Sequence, residues 1–502
     1  MNIRKWMLSF GIAALAISAA MPAYAAETKS NSNVTSFKAA SLVKKDGSYW
    51  IWGDTRAVPT QVVALTEVER IINDQFIQKK DQTVWYYKPE YSWSPGEEKL
   101  LQVKGLRDVV DVADGIGTYV ALDKAGHLYE FTIQSLKNEV VKPSNVLDHV
   151  VAVSSYNRTI PRQKPPFEDY STEGKWLLLR QDGTLWQNEG GKLDKVEPVA
   201  GLPKVRMLAN NVALAVDGTV WRFPTRIAAG QSAAPSQWKG IAKMQKIYSN
   251  NQTTLAIDAN AKLWFLGSTV PYGSDGSEYH VGKPVQIKTI NKVKEAYVVE
   301  RSLIVLTEDH KVYRTSIQND NISANSKFEL LASDVMQIEP AMRHFIMEKK
   351  DGSLWGWGIN KQGELGYGEY KFMYDKPVLM QKAITVRLNE KASQLSSGAL
   401  VRNGQAFVPL RSIFSDLGAE VGWDANTKMA IVVQKKDGKD SLKITIDMNT
   451  GATKLNDKPI KLQNKPFIVG GTVYLPLRLI SESLGAKVDW QPKELLISII
   501  MN

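Results

Sequence analysis

The sequence of 502 residues contains no cysteine and only five histidines, at positions 127, 149, 280, 310 and 344. Without a thiol there is no disulfide framework, no Cys-ligated zinc or iron–sulfur cluster, and no Cys nucleophile. The scattered histidines argue against a metal cluster. A Gly-rich loop between strand and helix, a His-Glu-x-x-His pair and a Ser nucleophile elbow are also missing, which removes the main signatures of nucleotide-binding, zinc-hydrolase and serine-hydrolase chemistry. Beyond the first twenty residues, no apolar run approaches the roughly 18 needed to cross a bilayer. A composition of 43% apolar and 23% charged residues excludes a disordered or collagen-like chain. No cofactor and no catalytic residue are expected.

What is present begins with an export signal. Arg4 and Lys5 precede an apolar stretch from Trp6 to Ala20, and Ala23-Tyr24-Ala25 carries small residues where a signal peptidase reads. Residues 1–25 therefore read as a secretory signal peptide, followed by a linker at 26–37. The expected location is secreted, extracellular or envelope-associated. A Cys-free, Lys-rich exported chain is similar in composition to exported proteins of Gram-positive bacteria. The net charge of +11 is spread along the chain without the basic stripe of a nucleic-acid site, and it suits attraction to a polyanionic wall.

One local pattern fills most of the chain: a short apolar strand, a tight turn, then an aromatic residue. Four copies keep Asp-Gly in the turn: Lys45-Asp46-Gly47-Ser48-Tyr49-Trp50, Gln181-Asp182-Gly183-Thr184-Leu185-Trp186, Val216-Asp217-Gly218-Thr219-Val220-Trp221 and Lys350-Asp351-Gly352-Ser353-Leu354-Trp355. Four are degraded: Lys80-Asp81-Gln82-Thr83-Val84-Trp85, Lys124-Ala125-Gly126-His127-Leu128-Tyr129, Ala259-Asn260-Ala261-Lys262-Leu263-Trp264 and Glu308-Asp309-His310-Lys311-Val312-Tyr313. Asp-Gly supplies the positive φ that a tight hairpin needs, so each copy predicts a hairpin. The aromatics recur every 35 to 57 residues, a spacing that suits propeller blades.

Here the chain resembles the regulator of chromosome condensation repeat family. The fullest match is Asp351-Gly352-Ser353-Leu354-Trp355-Gly356-Trp357-Gly358-Ile359-Asn360-Lys361-Gln362-Gly363-Glu364-Leu365-Gly366-Tyr367-Gly368. The resemblance implies a β-propeller over about residues 38–383. Family members usually have seven blades, whereas the hairpins number eight, so seven or eight blades are expected. The repeat aromatics read as packing between blades, and Asp46, Asp182, Asp217 and Asp351 as turn chemistry rather than paired catalytic carboxylates.

After residue 383 the spacing changes. Val408-Pro409-Leu410-Arg411 through Leu417-Gly418-Ala419 to Trp423 returns 67 residues later as Leu475-Pro476-Leu477-Arg478 through Leu484-Gly485-Ala486 to Trp490. Leu410, Ile413, Phe414 and Leu417 form the apolar stripe of a short helix, and Gly418 is placed to end it. A small α+β domain of two strand-helix-strand repeats is predicted for 384–502. This segment is similar to the copper amine oxidase N-terminal-like, or stalk, domain family. It has neither His nor Cys, so no copper site is expected.

Function is expected to lie in binding by three stretches read as long loops. The first is an aromatic insertion containing Tyr87, Tyr91 and Trp93. The second holds Tyr156, Arg158, Arg162 and Tyr170, and the third Tyr272 and Tyr279. Tyr, Trp and Arg are the residue types of interface hot spots, and aromatic faces also stack on sugars. The favoured reading is a secreted, non-catalytic, monomeric binding protein of the bacterial surface. Its propeller loops would recognise an extracellular protein or a cell-wall glycan, and its stalk-like domain would aid attachment, with no nucleic-acid partner and no integral membrane segment after signal cleavage. One alternative is a secreted inhibitor of an enzyme, because some exported propellers of the resembled family inhibit β-lactamases. Another is a polysaccharide-active enzyme using Glu90, Glu97 and Glu98.

Overall fold

The structure is a computed structural model that describes residues 33–501, apart from 90–98, 163–168, 228–231, 251–252, 268–282, 318–321, 437–438, 478, 480–482 and 484–485. The segment read as a signal peptide and most of the expected linker lie outside the described residues. The first strand, Val34–Phe37, already belongs to the first sheet, so the folded domain begins inside the segment read as linker.

Eight sheets follow one another along the chain, each built from one contiguous stretch whose strands pair antiparallel in sequence order. They are blade 1 (residues 34–61), blade 2 (68–107), blade 3 (109–131), blade 4 (150–198), blade 5 (205–237), blade 6 (244–286), blade 7 (293–332) and blade 8 (335–379). Blade 3 has three strands, and the bridge between Leu128 and Ser144 stands in for its fourth. Each predicted hairpin thus heads one blade, and the count is eight among the described residues.

The first strands line the axis. Successive ones touch: Arg70 reaches the Val109 carbonyl, Arg206 that of Met244, Lys246 that of Lys294, and Lys294 that of Met336. Apolar side chains fill the wedge between blades. In one such cluster Leu255, Leu263 and Phe265 of blade 6 meet Ala296, Leu303 and Val305 of blade 7.

The Asp-Gly turn does three things. The Asp217 carboxylate accepts from the Thr219 N–H and hydroxyl at 2.9 and 2.7 Å, and the Trp221 indole N–H donates to that hydroxyl at 3.0 Å. Blades 1, 2, 4 and 8 repeat this chain through Trp50, Trp85, Trp186 and Trp355. The turn residue with positive φ then offers its carbonyl to the first strand of the next blade. Val68, Val205 and Met244 donate to Gly47, Gly183 and Gly218 at 2.9, 2.8 and 3.1 Å. Where glycine is lost the conformation persists, at φ 67° for Gln82, 55° for Ala261 and 61° for His310. Where the turn aspartate is lost, an aspartate ending the second strand replaces it. Tyr129 donates to Asp123, and Trp264 to Asp258, each at 3.0 Å.

The C-terminal domain contains three sheets around one apolar core of Ile413, Phe414, Val432, Ile444, Leu475 and Ile497. Its helix Leu410–Asp416 buries Leu410, Ile413 and Phe414 of the predicted stripe, and Leu417 caps its end, partly buried. Strands Gln405–Pro409, Met429–Lys436, Thr472–Pro476 and Leu496–Ile500 lie in the two repeats. Each repeat gains a strand the periodicity did not give, Glu420–Asp424 and Lys487–Gln491, carrying Trp423 and Trp490. Arg411 is exposed, and Arg478 lies outside the described residues.

Candidate binding face

In each blade the first and third strands run in the same direction, so first-to-second and third-to-fourth connections leave from one face. The short turns occupy the other. Departures from the blade template gather on the first of these faces.

The largest described departure is in blade 4. Residues 156–170, read as a loop, belong to a β-hairpin: Val150–Arg162 pairs with Asp169–Arg180 in continuous register from Ala152↔Leu179 to Arg162↔Asp169. The third strand of that blade pairs only with residues 177–179. The rest of the hairpin therefore projects past the sheet by roughly 20 Å. A free two-stranded ribbon is marginal in water, so it needs support at its base. The fully buried Asn188 supplies some, accepting from the Trp176 N–H at 2.7 Å and donating to the Gly174 carbonyl at 3.1 Å. Thr159 bridges to the third-to-fourth connection of blade 5, its N–H donating to the Thr225 carbonyl at 2.8 Å and its carbonyl accepting from the Ile227 N–H at 3.0 Å. Arg158 pairs with Glu173 across the hairpin. The buried Lys175 ammonium donates to the Asn188 and Glu189 carbonyls at 3.0 Å each, and burial followed by the nearby Arg158 charge lowers its pKa.

The aromatic and basic residues expected to bind divide into three groups. Tyr87 and Tyr156 are core residues and are corrected as such. Tyr87 ends a strand and meets Tyr49 edge-on at 5.9 Å, whereas Tyr156 is 2% exposed against Phe223, with burial pushing its hydroxyl up to about 12. Both carry the composition of an interface and the burial of a core. Arg158 sits on the hairpin, held by Glu173, and Arg162 and Tyr170 occupy strand positions near its tip. Tyr91, Trp93, Tyr272 and Tyr279, with Glu90, Glu97 and Glu98, lie outside the described residues. The strands Thr83–Lys88 and Leu263–Leu266, which lead into those connections, run toward the hairpin face.

Three features of this face escaped the sequence reading. A cavity of about 380 Å³ opens beside the hairpin base, lined by Asp111, Asp114, Ser154, Ser155, Asn157 and Asn210. Burial raises the carboxyl pKa of both aspartates, and Arg70 and Lys38 oppose the shift at Asp111. Ile116 is half-exposed next to Gly174, in the first connection of blade 3. Met342 and Phe372 of blade 8, at 73% and 61% exposure, lie either side of the Ile359–Asn360 backbone, which hydrogen-bonds Arg343 and Phe372. Their only sequence signal is an apolar residue in a connection. Among the described residues no group of three or more His, Asp or Glu side chains could hold a metal ion, and no helix is long and apolar enough to cross a membrane.

This architecture defines an eight-bladed β-propeller carrying an appended α+β domain. Residues 387–499 match the family model of the copper amine oxidase N-terminal domain. Solved propellers of the regulator of chromosome condensation and WD40 kinds align with the N-terminal region. Prp20p from Saccharomyces cerevisiae is 15% identical, with 55% of this chain and 77% of that chain covered at a TM-score of 0.38. Human WBSCR16 is 14% identical, with 58% and 86% covered at 0.39. PorZ, described as a surface component of the type-IX secretion system of Porphyromonas gingivalis, is 10% identical, with 86% and 53% covered at 0.31. These likenesses concern the fold and carry nothing about partners. No curated protein matches the chain.

Proposed function

We propose that the protein is an exported, non-catalytic binding protein of the cell envelope, whose ligand, a protein or a cell-wall glycan, is held on the hairpin face of the propeller. The observation that carries this reading is the 150–180 hairpin. A blade needs no strand pair projecting beyond its sheet, yet this one is capped by Asn188, bridged to residues 225–227 and crossed by the Arg158–Glu173 pair. Supporting such a ribbon against its intrinsic instability makes sense if the ribbon contacts something. Ile116, Met342 and Phe372 add exposed apolar area on the same side, and apolar anchors with Arg are the usual composition of a protein-binding surface.

The test replaces residues 157–174 by Asn-Gly, which rejoins Tyr156 and Lys175 through a two-residue turn. Retention of the mature protein on its own envelope fraction should fall at least about tenfold, with the thermal midpoint held within a few degrees. Unchanged retention would remove the hairpin from the binding face. Turnover of a glycan that disappears with one carboxylate substitution would replace the binding reading with an enzymatic one.

A further inference from the structure

We infer that the C-terminal domain is the external clasp of the propeller ring, closing the seam between blade 8 and blade 1. This does not depend on the binding-face reading. Seven of the eight seams are crossed by the chain itself, but the eighth is not, because blades 1 and 8 are each made from one contiguous stretch at opposite ends of the propeller. That seam rests on side chains. Phe37, Trp50 and Trp52 pack with Ile346, Leu365 and Met380, Lys38 pairs with Glu339 at 3.1 Å, and His344 Nε2 lies 3.1 Å from the Ala39 carbonyl.

A second layer lies outside it. The long connection of blade 8 crosses the outer strand of blade 1: Trp52 donates to the Glu364 carbonyl at 2.9 Å, the Gly368 N–H to that of Ala57 at 3.0 Å, and the Tyr370 hydroxyl to that of Asp54 at 2.7 Å. The C-terminal domain then covers both. Ala57 and Val58 of blade 1, Tyr370 of blade 8 and Phe407, Val469 and Tyr474 of the C-terminal domain form a single apolar cluster. Gln394 donates to the Gln61 carbonyl at 3.0 Å and accepts from the Val63 N–H at 2.9 Å, and the Gly398 N–H donates to Thr60 Oγ1 at 2.7 Å. The buried Lys44 ammonium of blade 1 reaches the Ala383 carbonyl at 3.4 Å. One body thus grips both sides of the seam that chain connectivity leaves open, and it also covers the outer edge strand of blade 1, which would otherwise offer unpaired backbone.

Gly398 gives the cleanest way to loosen the grip. Its φ is not in the left-handed region, so a side chain is conformationally allowed there, but a Cβ would overlap the Pro59 carbonyl oxygen. In full-length Gly398→Val, amide hydrogen exchange should quicken at least about tenfold across residues 34–61 and 335–379. Residues 205–222 of blade 5 and the domain core at 442–446 should keep wild-type rates. A milder variant, Gln394→Ala, removes the bonds from the domain to Gln61 and Val63 without overlap and should show the same pattern with a smaller increase. Faster exchange at 394–401 with an unchanged seam would overturn the inference, and so would unchanged exchange everywhere in Gly398→Val, since the close approach would then hold nothing.

Discussion

On one face of the propeller, the connections between second and third strands are three or four residues long in every blade. On the other, the connections between third and fourth strands range from two residues at Asp54–Thr55 to eighteen at 267–284, and one first-to-second connection grows into the 150–180 hairpin. The uniform face carries the turn carbonyls that accept from the first strand of the next blade, as at Gly47, Gly183 and Gly218, so a change there is felt in the neighbouring blade. Most connections of the irregular face vary without touching those turn contacts, which is why we place the proposed ligand recognition on it.

The largest effect that would sharpen this contrast comes from Asn188→Ala. It leaves the buried Trp176 N–H and Gly174 carbonyl without their side-chain partner, at about 1–3 kcal/mol each. Urea denaturation should show a loss of about 2–6 kcal/mol, accompanied by weakened ligand retention because the hairpin loses its base. On the uniform face, Asp217→Ala removes two hydrogen bonds from an exposed turn and should cost about 1–2 kcal/mol in the same measurement with retention intact. Loss of retention in Asp217→Ala would break the division between faces.

Acid should act through the uniform face. Hydrogen bonds from Thr184, Thr219 and Ser353 hold the carboxyls of Asp182, Asp217 and Asp351 below their ordinary range. A carboxyl depressed in the folded state stabilises fully above its unfolded pKa, about 3.9, and loses that contribution as pH falls through the folded value. Indole fluorescence, reported by Trp186, Trp221 and Trp355 on those hydroxyls, should stay flat down to about pH 4 and change below it. A transition centred near neutrality would count against the turn relay. The smallest effect is a gain: His310→Gly, at φ 61°, should raise stability by about 1 kcal/mol, readable as a higher urea midpoint. No gain would mean that the His310 ring, 3.2 Å from the Val335 carbonyl, offsets the backbone cost.

The uniform face was legible in sequence because its geometry demands particular residues. Asp-Gly states a turn and the following aromatic states where the third strand begins, although the Ser or Thr that links the two was not read as a relay. Even the degraded turns carried a signal, an aspartate at 123 or 258 just before the turn, readable only once the carboxylate's task was known. The paired Pro-Leu-Arg and Leu-Gly-Ala segments likewise located the C-terminal helix stripe. The irregular face was not legible to the same degree. The hairpin was read as a loop because it lengthens the spacing between two repeat aromatics and mixes Tyr with Arg, whereas the two strands pair through Pro161, which a two-stranded ribbon tolerates. Tyr87 and Tyr156 were misplaced because a buried aromatic and a binding aromatic are the same residue type until burial separates them. The clasp was invisible for a different reason: Gly398 and Gln394 gain meaning only from residues more than 300 positions away.

The most direct measurement places a photo-crosslinking amino acid at the exposed Asn157 on the hairpin or at the exposed Val216 in the turn of blade 5, and irradiates each protein bound to its envelope fraction. Position 157 should form a discrete adduct and position 216 none. An adduct from 216 in equal or greater yield would contradict the assignment of binding to the hairpin face.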